Sequence, residues 1–206
     1  MPTGVALQDP RAQLVAAAER LLATGSAAAL TSRAVTDEAG VAKGVLHRHF
    51  TDFDDFLAAL VRTRIQRADD AGERLIATAG SGTVLANVSA FLTTTLDDVA
   101  LAVVALVTAR DRLRRRLRET TPEGLPLLVE ITRALAAYLT AEQSSGRVEQ
   151  TADPRYLAMT VVGTAHLMFA GELGARPDDA AVREVVGSAL LPALRTPPAG
   201  QESSMR

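Results

Sequence analysis

Apolar residues recur along this chain at intervals of three and four, and no useful length of it alternates with period two. That spacing places residues on one face of an α-helix. Between Pro10 and Thr24, Leu14, Val15, Ala18, Leu21 and Leu22 form one stripe; Asp9 suits the cap, Pro10 the first turn, and Gly25 the end. Thr31 is a good cap for a short helix reaching Ala39, Gly40 breaks the chain, and a third short helix covers Lys43 to Phe50. Asp52 suits the cap of a long fourth helix with the stripe Phe53, Phe56, Leu57, Leu60 and Val61, running to about Ala79. Asp54 and Asp55 sit favourably at its positive end. The pattern then predicts helices over 83–95, 97–119, 125–145, 154–173 and 178–194, broken at Thr121-Pro122, Gly146, 174–177 and Pro192. Residues 196–206 are rich in Pro, Gly and Ser and are predicted to be a disordered tail. The expected fold is all-α, with about nine helices.

Composition narrows the function classes. The 206 residues include 38 Ala, 21 Arg and a single lysine, Lys43, with no Cys or Trp. No disulfide, cysteine-based zinc site or thiol nucleophile is available. The longest apolar run, Val99–Val107, is too short to span a bilayer. Residues 1–10 lack the basic and apolar regions of a secretory leader, so a cytoplasmic location is expected. The net charge of −2 argues against a protein that coats nucleic acid non-specifically. No metal-ligand spacing, phosphate loop or nucleophile beside a base supports an enzyme, and no cofactor is expected.

The informative stretch is Leu30–Leu60. A short helix, a glycine turn and a second short helix, followed by a long helix, make helix-turn-helix geometry. On the third helix Leu46 and Phe50 share a face at i, i+4, and Gly44, His47 and Arg48 share another. The second face is basic and polar, and Gly44 lets a phosphate or base edge come close. In such proteins the N-terminal part of the second helix of the motif enters the major groove.

Thr31-Ser32-Arg33-Ala34-Val35, Ala39-Gly40-Val41-Ala42-Lys43-Gly44, Leu46 and His49-Phe50 resemble the DNA-binding signature of the tetracycline-repressor (TetR) family. The likeness spans about residues 10–62 and includes Ala17-Ala18-Glu19-Arg20-Leu21-Leu22 and Gly25. It implies a three-helix DNA-binding head over residues 8–68, with the motif at about 31–50. It also implies a C-terminal ligand-binding and dimerisation domain over 69–195. The DNA contacts it implies are Thr31, Ser32, Arg33, Lys43, Gly44, Val45, His47, Arg48 and His49. Two positions depart from the family: His47 stands where tyrosine is usual, and Phe53 where lysine is frequent.

Other features have two readings. The run Arg110–Arg118 carries six Arg against one Asp; its distance along the chain from the motif favours a solvated helix end over a nucleic-acid patch. His47 and His49 point about 200° apart on a helix and cannot easily share a metal ion. Phe91, Arg110, Tyr138, Met159, Thr160, Thr164, His166 and Met168 are candidate ligand-pocket residues. Gly163, Ala165, Ala170, Val182, Val185, Val186, Ala189, Leu190 and Ala193 are candidates for a twofold helical interface between two copies.

The expectation is a homodimeric, sequence-specific regulator of transcription, released as a repressor from a twofold-symmetric operator by a small-molecule effector. The alternative is a small-molecule or partner-binding dimer of the same fold without tight DNA binding. Phe53, His47 and the small charge of residues 1–68, eight basic against seven acidic, favour that alternative.

Overall fold

The computed structural model describes residues 9–25, 27–122 and 124–195; the expected tail at 196–206 lies outside them. Among these residues there are ten α-helices, two short 3-10 turns and no strand beyond one isolated bridge, Val148 with Leu194. The chain forms two compact units. One takes in residues 1–67 and 96–129, the other 68–95 and 130–206. Residues 96–129, expected in the C-terminal domain, fall in the same unit as residues 1–67.

In the first unit, α1 (Pro10–Thr24) begins where Asp9 Oδ1 accepts from the backbone N–H of Arg11 and Ala12. α2 (Ser32–Glu38) is capped by Thr31, whose Oγ1 accepts from Ala34 N–H. α3 (Gly44–His49) follows the turn at Gly40, which adopts φ +68°, a conformation that glycine reaches without strain. α4 (Phe53–Ala77) starts where Asp52 Oδ1 accepts from Asp55 N–H at 2.7 Å, and it continues into the second unit.

The predicted helix 97–119 is two helices, α6 (Asp98–Ala109) and α7 (Asp111–Leu117). Arg110 between them takes an extended backbone (φ −124°, ψ 95°). Its Nε and Nη2 donate to Asp54 Oδ1 at 3.0 and 2.9 Å, and its guanidinium lies over the Phe53 ring. Tertiary contacts here override a run of strong helix formers. The hub of the unit is Arg64 on α4, which is buried. Its Nη2 lies 2.6 Å from Asp97 and its Nη1 3.7 Å from Glu19, joining α4 to the cap of α6 and to α1.

The second unit contains the end of α4, α5 (Val84–Thr95), most of α8 (Leu128–Ser144), α9 (Pro154–Phe169) and α10 (Asp179–Leu190). α10 packs on α5 and α9. Three predicted boundaries move. α8 starts at Leu128 rather than 125, because Pro126 restricts Leu125 and Leu127 is left-handed at φ +77°. α9 stops at Phe169, because Gly171 turns left-handed and its N–H bonds to Met168 O. α10 stops at Leu190, and Leu191-Pro192-Ala193 forms a 3-10 turn. No single helix among the described residues is long and apolar enough to cross a membrane.

Candidate nucleic-acid interface

The core side of α3 is fixed first. Leu46 is fully buried and Phe50 nearly so; Phe50 packs edge-on against Phe56, which stacks on Phe53. α1 holds the turn and the C-terminal end of the motif. Gln13 Nε2 donates to Ala39 O in the turn, and Arg11 Nη1 donates to His49 O while its guanidinium covers the Phe50 ring. Arg20 pairs with Glu38 at 2.6 Å. Inside α2 the buried Thr36 Oγ1 donates to the backbone carbonyls of Ser32 and Arg33.

With Leu46 and Phe50 turned in, periodicity turns the other face out. Lys43, Gly44, His47 and Arg48 are exposed, while Val45 and His49 are half-buried. A Cβ at Gly44 meets nothing within 4 Å, so the helix start is open to a close approach. Thr31 and Arg33 are exposed at the start of α2 and Ser32 is half-buried. Arg33 Nε lies 3.5 Å from Asp37, an exposed pair that holds it weakly. The nine sequence candidates therefore fall on two short helices joined by one turn, and all lie in the first unit. Arg11, which anchors the C-terminal end of α3, was missed, because a lone arginine on a first helix carries no signal in sequence.

Just beyond α3 the chain is acidic, and arginines from α6–α7 cover it. Arg110 pairs with Asp54, and Arg116 Nη1 lies 2.9 Å from Asp52 and 3.7 Å from Asp55. The Asp55 N–H, and then Arg116, hold the Asp52 carboxyl below the usual carboxylate range.

The eight pocket candidates are placed as follows. In the second unit a cavity of about 200 Å³ is lined by Ala71, Arg74, Leu75 and Thr78 and by Asn87, Ala90, Phe91 and Thr94, the first three from α4 and the last four from α5. Of the candidates only Phe91 lines it. Tyr138 is buried, and its hydroxyl accepts from Asn87 Nδ2 at 3.0 Å. Burial, and then Glu142, push the phenol pKa up to about 12. Met159 and Thr160 are exposed on α9, and Thr164, His166 and Met168 are half-buried there. Arg110 belongs to the first unit.

The interface candidates also divide. Ala165, Val182, Val186, Leu190 and Ala193 are buried within the second unit, while Val185 and Ala189 are half-buried and Leu191 at the end of α10 is exposed. Gly163 on α9 and Ala170 at its C-terminal cap are exposed. They share an outward strip with Tyr156, Met159 and Leu167, which are 65%, 57% and 44% exposed. Among the described residues no group of His, Asp and Glu is arranged to hold a metal.

Residues 14–60 match the model of the bacterial regulatory proteins of the tetR family. No match was found among curated proteins. Solved structures share the fold along nearly the whole chain. A TetR-family transcriptional regulator from Agrobacterium tumefaciens is 17% identical, with 91% of this chain and 99% of that one covered at a TM-score of 0.68. SmeT, the repressor of a Stenotrophomonas maltophilia multidrug efflux pump, is 18% identical, with 94% and 96% covered at 0.62. FadR from Bacillus subtilis, solved with stearoyl-CoA, is 18% identical, with 87% and 97% covered at 0.63. Residues 14–60 thus match the tetR family model, and the fold of the chain is one shared with solved structures of that family.

Proposed function

We propose that the chain is a homodimeric transcriptional regulator that binds a twofold-symmetric DNA site through α2 and α3 and responds to a small-molecule effector, as a repressor in the cytoplasm. The observation that carries this reading is the outward face of α3, where Lys43, Gly44, His47 and Arg48 are exposed on a helix anchored by Leu46 and Phe50. Lys43 and Arg33 read base edges, with guanine the usual partner. Thr31, Ser32, His49 and the backbone N–H groups fix register on phosphates. Two copies present their α3 helices about 34–36 Å apart, one turn of B-DNA.

The alternative is a dimer of the same fold without tight DNA affinity. It drew on a head with a formal charge of only +1. The folded unit that contains the motif carries 14 basic and 12 acidic residues, and the other unit is at −4. Asp52 and Asp54, which stand where they repel phosphate, are each covered by an arginine.

The α4–α5 cavity is the best-placed effector site. At about 200 Å³ it falls below the roughly 300–1,000 Å³ of drug-sized pockets, so a larger effector has to part the two helices. α4 carries both Asp54 in the first unit and Ala71, Arg74 and Leu75 on the cavity wall. A ligand that favours one placement of α4 thereby acts on the reading head, provided it binds the two states with different affinity. Selection of duplexes from a random library by the full-length protein tests the function. A palindromic consensus is expected, and Lys43→Ala should weaken binding to it by about tenfold or more while the dimer stays intact. Equal affinity of that variant defeats the assignment of α3.

A further inference from the structure

The most basic run in the sequence lies in the same unit as the helix-turn-helix, against its reading from chain distance as a remote helix end. α7 is about 10 Å long. Arg116 on it is bound to Asp52, the third residue past the end of α3. Arg110, at the head of α7, is bound to Asp54 and lies over Phe53, part of the aromatic group that seats α3. Leu113 and Leu117 are fully buried and fix the rotation of α7. This leaves Arg112, Arg115 and Arg118 exposed, with no side-chain hydrogen bond or ion pair among the described residues. Arg110 and Arg116 make the direct ion pairs with the three aspartates, and Arg112 adds only a weaker, longer-range attraction to Asp52. Arg112, Arg115 and Arg118 at intervals of three repel one another on so short a helix, and a polyanion relieves that repulsion.

We propose that Arg112, Arg115 and Arg118 form a second contact surface for duplex DNA, which grips the phosphate backbone next to the segment read by α3. It rests on the reading that this chain binds DNA. The guanidinium fork matches phosphate geometry and its charge is permanent. Contacts of this kind position the protein and add affinity without sequence preference.

The test uses the full-length protein and a duplex that it selects from a random library, with fluorescence anisotropy read over a series of KCl concentrations. For R112Q/R115Q/R118Q, affinity should fall at least about tenfold, with the plot of log affinity against log salt shallower by roughly 2–3, near 0.9 per phosphate lost. The base preference found in the selection should persist. R112K/R115K/R118K should keep the wild-type slope, which separates charge from misfolding. A glutamine variant with wild-type affinity and slope overturns the proposal and leaves the patch to another acidic partner. A lysine variant as weak as the glutamine one overturns it too. If the wild type selects no duplex, the DNA reading itself falls, and this surface with it.

Discussion

His166 sits half-buried on α9 with its Nδ1 atom buried and lacking a hydrogen-bond partner. Burial lowers the imidazole pKa below its usual 6.5, and Glu172 opposes the shift only in part. A depressed folded-state pKa contributes stability that is present above about pH 6.5 and is lost as the pH falls through the folded value. The thermal midpoint of the wild type should therefore drop between pH 6.5 and 5, and His166→Leu should drop less over the same range. Equal curves for the two proteins would dismiss the titration. Residues of this kind divide by legibility. The exposure of Lys43, His47 and Arg48 was readable because their neighbours Leu46 and Phe50 define the buried face of a short helix. Tyr138 and Met159 were not. On apolar helices a core face and a cavity wall carry the same residue types, and only packing shows that Tyr138 stands behind Asn87 while Met159 faces outward.

At the scale of elements, caps and breakers were legible because their chemistry is local. Asp9, Thr31 and Asp52 each accept from a backbone N–H where expected. The break at Arg110 was not legible, since its cause is Asp54, 56 residues away in sequence. The close crossing of α4 and α8 in the second unit was hidden for the same reason. A Cβ at Gly72 falls 2.6 Å from the Ala134 Cβ, on a helix that cannot yield as a flexible side chain does. Gly72→Ala gains about 1 kcal/mol in helix propensity. It meets an overpacking cost of about 1–3 kcal/mol. Chemical denaturation should show a net loss of stability for Gly72→Ala, restored in large part by adding Ala134→Gly. A Gly72→Ala protein more stable than the wild type would mean that the helices can part freely there.

On the scale of the whole molecule, the alanine-rich composition suggested close packing of the last two helices across a dimer, and it did not say which face is spare. α10 buries Val182, Val186 and Leu190 against its own unit. α9 leaves Tyr156, Met159, Gly163, Leu167 and Ala170 outward, a strip at intervals of three and four along most of its length. A second copy laid on that strip by a twofold axis covers it with itself, because such an interface uses the same patch on both subunits. Two substitutions separate this arrangement from one built on α10. Met159→Arg with Leu167→Arg adds charge only to the exposed strip, so the fold should survive while sedimentation shows a monomer. Val186→Arg buries a charge in the core and should unfold the second unit instead. Loss of the dimer removes the linkage between two reading heads, and affinity for a twofold duplex should fall by a factor on the order of 10²–10⁴, although α3 is untouched. A Met159→Arg/Leu167→Arg protein that remains a dimer would move the interface off α9.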